Sequence, residues 1–347
     1  MTKHSTDEVL FEQRGVIGHI LLNRPKALNS LTLEMALAMT AQLLDWSTDN
    51  AIEAVVVEGA GEKGFCAGGD IRALYESGQS DGAYARKFYF HEYQLNHLIK
   101  KFPKPYIALI DGVTMGGGVG VSVHGSHRVA GDRTLFAMPE TGIGLFPDVG
   151  GTYFLPRLPH RLGYWLGLSG DRLKAADSVY AGVATHYVPS DSHPALVDAF
   201  ASGQDPDEAI ARFVKQLDAP LAARTDKIEA WFADDSLPDI FARLEADGSE
   251  DAAALLANMK GKSPISMIVA ARQLAEGAAL EFDECMILEY RLARRFVEGK
   301  DFYEGVRAVI IDKDNAPIWG RRAIEDVTNE EVAAYFAPLD QELEFLI

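Results

Sequence analysis

Leu135–Leu158 reads LFAMPETGIGLFPDVGGTYFLPRL, and the punctuation of this stretch organises the chain around it. An apolar, strand-like run turns at Pro139 and presents Glu140. Gly142 and Gly144 follow, a second bend at Pro147 presents Asp148, and Gly150-Gly151 open an apolar segment of helical character. The two carboxylates are 148 − 140 = 8 residues apart, not the three or four that would make them neighbours on a helix face. They stand at two bends of one loop. Carboxylates aimed out of apolar surroundings are how a fold makes an acid and a base from one residue type. Taken singly, a glutamate after proline is ordinarily solvated and an aspartate before a helix is ordinarily an N-cap. The loops upstream reverse that balance.

Upstream, Ala54–Val57 (AVVV) is a continuous apolar run suited to a buried strand, and it leads through Gly59, Gly61 and Gly64 into FCAGGDI, residues 65–71. A second such strand, PYIALIDG, leads into VTMGGGVGVSVHG, where Gly116–Gly118 mark a strand-to-helix turn. Gly68-Gly69 and Gly116–Gly118 leave the main chain bare in two separate loops. Two N–H groups converging from such loops are what a developing oxyanion needs. A lone glycine turn would signify little; two, with the Glu140–Asp148 loop, point to a site.

Before these loops, Val9–Asn23 has the look of two strands around Gly15, and Thr32 caps a helix over LEMALAMTAQLLDW. A further helix over residues 84–99 carries Glu92. HRVAGD, LFAMPE and ATHYV are expected strands, which makes residues 1–190 an α/β unit. From 191 to 347 helical blocks dominate: PDEAIARFVKQL, LAARTDKIEAWFADD, IFARLEADG, PISMIVAARQLAEG and ECMILEYRLARRFVEG.

The chain has 347 residues, 48% of them hydrophobic, enough for a large core and two domains. Its formal charge of −18 opposes nucleic-acid and anionic-membrane partners. Two cysteines, Cys66 and Cys285, are too few for a disulfide framework or a cysteine-rich metal site, which suits a reducing compartment. The N-terminal stretch MTKHSTDEVLFEQRG lacks the pattern of a signal or transit peptide, and no apolar run approaches the ~20 residues that span a bilayer. The expectation is a cytoplasmic protein. Gly261-Lys262-Ser263 fails as a phosphate loop because Leu256 stands where the first glycine belongs, and Gly120-Val121-Ser122-Val123-His124 misses a nucleophile elbow at its last position. Cys66 reads as a small buried thiol, and His124 and His127 as packing residues. No metal site is expected.

FCAGGDI, TMGGGVGV and FAMPETGIGLFPDVGG closely resemble the crotonase (enoyl-CoA hydratase/isomerase) superfamily. Together with LNRPKALNSL, RLKAADSVYAGVATHYV and KDFYEGVRAVIIDKDNAPIW, they most resemble its 3-hydroxyisobutyryl-CoA hydrolase branch. The resemblance implies an α/β fold, a spiral of β-β-α units with a helical C-terminal region, and an acyl-CoA substrate. By position it implies oxyanion amides at Gly69 and Gly117, an acid/base glutamate at Glu140, Asp148 at the second bend and Glu92 lining the substrate site. It also places Arg24, Lys26, Ala67, Asp70 and Ile71 around coenzyme A, although Arg24 and Lys26 equally suit solvated positions before a helix. Hydratases of the superfamily carry a second glutamate where this chain has Gly120, so the implied reaction is hydrolysis of a short β-hydroxyacyl-CoA from valine breakdown. No cofactor is implied beyond coenzyme A within the substrate, and a homo-oligomer is compatible with the sequence. The rivals are an enoyl-CoA hydratase or isomerase, and a non-catalytic acyl-CoA-binding protein that would not need two carboxylates beside an oxyanion site.

Overall fold

The computed structural model describes residues 6–347; the first five residues of the N-terminal stretch lie outside it. β1 (Val9–Arg14) and β2 (Ile17–Leu22) pair antiparallel around Gly15, whose φ of +56° is left-handed. Thr32 caps α1 (Leu33–Thr48), its side chain accepting from Met35 N at 3.2 Å. Then β3 (Ala54–Gly59), β4 (Gly64–Cys66), α2 (Ile71–Gly78) and α3 (Ala83–Lys100) follow. The next unit is β5 (Tyr106–Ile110), β6 (Val113–Met115) and the single turn α4 (Gly117–Gly120). β7 (His127–Ala130) and β8 (Leu135–Ala137) lead into a 3₁₀ turn over Glu140–Ile143, then the short α5 (Gly151–Phe154) and α6 (Leu162–Ser169). β9 (Leu173–Lys174), α7 (Ala175–Tyr180) and β10 (His186–Tyr187) complete the strands.

From β3 to β8 successive strands alternate between two sheets. One has the order β1-β2-β3-β5-β7-β10 and the other β4-β6-β8-β9. From β3 to β8 each unit gives one strand to each sheet before its helices, which is the expected spiral of β-β-α units. The central pairings, β2 with β3, β3 with β5, β5 with β7, β4 with β6 and β6 with β8, are all parallel. A parallel sheet is covered on both faces, so its strands are apolar throughout. Val55, Val56 and Val57 in β3, and Ile107 and Ala108 in β5, are accordingly fully buried.

The helical remainder comprises α8 (His193–Ala201), α9 (Pro206–Ala211), α10 (Thr225–Trp231), α11 (Leu237–Asp247), α12 (Glu250–Lys260), α13 (Pro264–Gly277), α14 (Phe282–Phe296), α15 (Asp301–Val306) and α16 (Asn329–Phe336). Most of the expected blocks are present, two of them shorter: LAARTDKIEAWFADD is α-helical only over Thr225–Trp231, after a 3₁₀ turn at Pro220–Arg224. PDEAIARFVKQL stops being helical after Ala211, and the chain runs on so that Lys215 N donates to Tyr187 O at 3.0 Å. A β-strand carbonyl outcompetes the helix there. A further helix, α12, stands between two expected blocks, capped by Ser249. None of the described helices is long and apolar enough to cross a membrane.

A large apolar cluster runs through both regions, joining Val57 and Phe146 to Met267 and Phe296. A smaller one fills the space under α8 and α9, with Val56, Ile107, Leu196 and Phe200. The C-terminal region therefore sits on the Glu140 turn. A side chain at Gly144 would strike the Asp301 backbone, and one at Gly305 would strike the Ile143 backbone. Beyond α15, Asp312 and Asp314 each accept from Arg307 at 2.7 Å, folding the segment that follows back onto this helix.

Candidate active site

The loops after β4 and β6 meet the Glu140–Asp148 loop around a small cavity of about 70 Å³. Leu31 fixes the first loop: its N–H donates to Gly68 O and its carbonyl accepts from Asp70 N, both at 2.8 Å. That leaves the Gly69 N–H outside the backbone hydrogen bonds. Gly117 begins α4, and the first N–H groups of a helix have no intrahelical acceptor. The two amides are close, since a Cβ on Gly117 would lie 3.2 Å from Gly69 N. Gly68 at φ +115° and Gly116 at φ +46° hold conformations that side chains rarely adopt, which is why glycines make this approach.

Glu92, Glu140 and Asp148 all line the cavity and all are buried. Glu140 sits in its 3₁₀ turn with Leu145 N donating to its carbonyl at 3.0 Å, and its Oε2 has no partner. Glu92, on α3, also has an unpartnered Oε1, which a Cβ on Gly117 would approach to 2.5 Å. Asp148 accepts from the Tyr93 hydroxyl at 2.8 Å. Burial, then the nearby Asp148, holds both Glu92 and Glu140 well above the usual carboxylate range. Burial raises Asp148 to about 7, and the Tyr93 hydrogen bond opposes that rise. Such groups titrate as a set. Lys262 lies buried behind the Glu140 turn, its ammonium pushed down to about 8 by burial and pulled up by Glu140.

Ala67 and Ile71 line the cavity; Arg24, Lys26 and Asp70 do not. Arg24 pairs with Asp70 at 2.8 Å and with Glu8 at 3.1 Å, and donates to Ser30 O at 2.7 Å. Asp70 in turn caps α2 by accepting from Ala73 N at 3.3 Å. The pair braces the Gly69 loop. Lys26 is exposed on the Pro25–Ala27 turn. Cys66 is fully buried, and burial raises its thiol to about 12. Among the described residues, no group of three or more His, Cys, Asp or Glu side chains is arranged to hold a metal ion.

Asp148 is not the N-cap of the following helix. Gly150 occupies that position, and the orphan amides are met from α14: Glu289 accepts from Gly150 N at 2.7 Å and Thr152 N at 2.8 Å. Gln273 on α13 donates to Pro147 O at 2.7 Å, and His124 Nε2 is 2.7 Å from Val149 O. The C-terminal helices thus set the bend that aims Asp148. This contribution has a sequence signal, because Cys285, Glu289, Leu292 and Phe296 share one helical stripe. A carboxylate within an apolar stripe demands a partner.

Burial lifts Glu289 from 4.5 to about 8. A carboxyl whose folded value lies above its unfolded value stabilises the fold when protonated, and that stability is lost as pH rises through the interval between them. Glu289→Gln should therefore remove part of the decline. Denaturant midpoints taken between about pH 5 and about pH 8 should fall less steeply in the variant than in the parent. Parallel curves would show that Glu289 does not titrate in this window.

Residues 17–336 match the enoyl-CoA hydratase/isomerase family. A protein from Danio rerio named 3-hydroxyisobutyryl-CoA hydrolase, mitochondrial, is 46% identical, the alignment covering 98% of this chain and 92% of that one. The Homo sapiens protein of the same name is 44% identical over 98% and 91%. A crystal structure titled carnitinyl-CoA dehydratase from Mycobacterium thermoresistibile superposes with a TM-score of 0.93 at 40% identity, covering 98% of this chain and 99% of that one. Another, titled enoyl-CoA hydratase from Rhodobacter sphaeroides 2.4.1, has a TM-score of 0.90 at 40% identity, covering 98% and 100%. The expectation of a cytoplasmic protein is corrected here: the relatives are named mitochondrial.

Proposed function

Because the chain belongs to the enoyl-CoA hydratase/isomerase family, we propose that it hydrolyses the thioester of a short β-hydroxyacyl-CoA, 3-hydroxyisobutyryl-CoA foremost, in valine breakdown. The observation that carries this reading is at Gly120. A Cβ there would come within 2.6 Å of Asn96 Nδ2 and 2.9 Å of Val149 Cβ. A glutamate on α4 has no room, whereas adding water across a double bond in this family uses one at that position. Glu140 and Asp148 remain, facing two free amides. The names of the hydrolases agree with this arrangement better than the hydratase and dehydratase names do.

In the proposed reaction the Gly69 and Gly117 amides hold the thioester oxygen. Glu140 attacks the carbonyl carbon, forming a C–O bond as the C–S bond breaks. Asp148, raised to about 7, gives its proton to the leaving thiolate. As a carboxylate it then takes a proton from water, which opens the mixed anhydride to the hydroxy acid and regenerates Glu140. Coenzyme A enters only as part of the substrate. Glu140 must be ionised to attack, and burial and Asp148 both oppose ionisation. Activity should accordingly rise with pH as Glu140 ionises and fall again as Asp148, raised to about 7, loses the proton it gives to the thiolate.

The wild-type protein should release free thiol from 3-hydroxyisobutyryl-CoA with no added metal or nucleotide, and 3-hydroxypropionyl-CoA should serve as a slower substrate. Crotonyl-CoA, followed by absorbance of its conjugated double bond, should be hydrated far more slowly. Faster turnover of crotonyl-CoA would instead assign the site to hydration. Absence of both thiol release from the hydroxyacyl thioesters and hydration of crotonyl-CoA would leave a binding protein.

A further inference from the structure

α3 presents Tyr89, Glu92, Tyr93 and Asn96 at helical spacings of three and four residues, so they share one face. Tyr93 is bonded to Asp148, and Asn96 lies against Gly120. Tyr89 is different. Its ring is wedged edge-to-face between Phe88, at 5.6 Å, and Tyr93, at 5.8 Å. It is 2% exposed, it lines the cavity, and its hydroxyl has no partner among the described residues. Burial and the nearby carboxylates, Asp148 first, keep the phenol protonated, so it is an unpartnered donor on a residue that lines the cavity.

A buried polar atom without a partner is costly and calls for an explanation. A thioester carbonyl would occupy the two loop amides, and Glu140 would face its carbon. Among the described residues, the fully buried side-chain polar atoms then left without a partner on cavity-lining residues are the Tyr89 hydroxyl and Glu92 Oε1. One donor and one acceptor on consecutive turns of α3 match a substrate alcohol, which accepts one hydrogen bond and donates another. An unsubstituted acyl chain would leave both atoms unpaired.

We propose that Tyr89 is a specificity-determining residue for the β-hydroxyl of the acyl group, donating its phenol proton to the hydroxyl oxygen while that hydroxyl donates to Glu92 Oε1. This rests on the hydrolase reading above. It adds that the site selects the alcohol and not merely the length of the chain. Phe88 and Tyr93 hold the ring on two sides, so the hydroxyl is presented by a preformed wall and needs no closure to reach the substrate.

The test is Tyr89→Phe, which keeps the ring and its packing. Thiol release is measured for 3-hydroxyisobutyryl-CoA and for isobutyryl-CoA, which lacks only the hydroxyl. In the wild type the first should be strongly preferred. In the variant the ratio of the two kcat/KM values should fall by about 10- to 100-fold, through loss on the hydroxylated substrate alone. A purely packing role would depress both substrates together and leave the ratio unchanged, which overturns the proposal. A second measurement needs no change at Tyr89. With turnover blocked by Glu140→Gln, calorimetric titration should show the hydroxylated thioester binding at least about tenfold more tightly than isobutyryl-CoA. Equal affinities also overturn it. Absence of wild-type hydrolysis would instead count against the reaction itself, a different failure.

Discussion

Glu140→Gln should lower coenzyme A release by on the order of 10⁴-fold, the upper end of what a positioned acid–base or nucleophilic group contributes. The substitution keeps the side chain's shape and removes its charge. Glu140 Oε2 has no partner among the described residues, so the change breaks no side-chain bond at that atom and the protein should fold normally. Asp148→Asn should cost less, because Asp148 passes protons to groups that thiolate and water can partly manage alone. It should also move the rising limb of the pH profile to lower pH, since Asp148 is, after burial, the main group opposing ionisation of Glu140. A larger loss from Asp148→Asn would exchange the two roles. The covalent step has its own check. Turnover in oxygen-18 water should leave label in the Glu140 carboxylate whenever water opens the anhydride on the glutamyl side, and hydroxylamine should trap the anhydride as a stable adduct. If neither label nor adduct forms during turnover, Glu140 acts as a base on water.

Gly117→Pro should cost about 10²–10³ in turnover, the loss expected for one oxyanion donor. The proline nitrogen carries no hydrogen, and the first position of a helix tolerates the ring. The added Cβ is the complication, because it would meet Glu92 Oε1 at 2.5 Å and push that side chain aside. Gly117→Ala carries the same Cβ but keeps the N–H. Comparing the two variants separates the amide from the crowding. If alanine and proline lose activity equally, crowding explains the loss and the amide contributes nothing measurable.

The two buried parallel strands and the glycine turns were legible in the sequence because each has a local cause. Three consecutive valines at 55–57 suit a strand covered on both faces, and three glycines at 116–118 suit a turn where backbones approach closely. The carboxylates at 140 and 148 were legible as members of one loop, and the structure brings both to one cavity with Glu92. Long-range partners were not. Nothing near Asp148 in the chain announces Tyr93, 55 residues away, or the support that Glu289 gives to the Gly150 amide from 139 residues away. The length of α9 was illegible for the same reason, because a distant strand carbonyl competes for its backbone. Arg24 shows the converse. Its sequence neighbours suggest a solvated cation, while Glu8 and Asp70 come together in space to enclose it.

Among the described residues, all that line the cavity lie between Ala67 and Asp148, yet the bend that aims Asp148 is fastened by Gln273 and Glu289. Inheritance of the chemistry and inheritance of its alignment are therefore written in different parts of the gene. A lineage can retain every residue that lines the cavity and still lose the aim of Asp148 through changes in α13 and α14. Transplanting the cavity-lining segments into another scaffold would carry over the reagents without the jig that holds them.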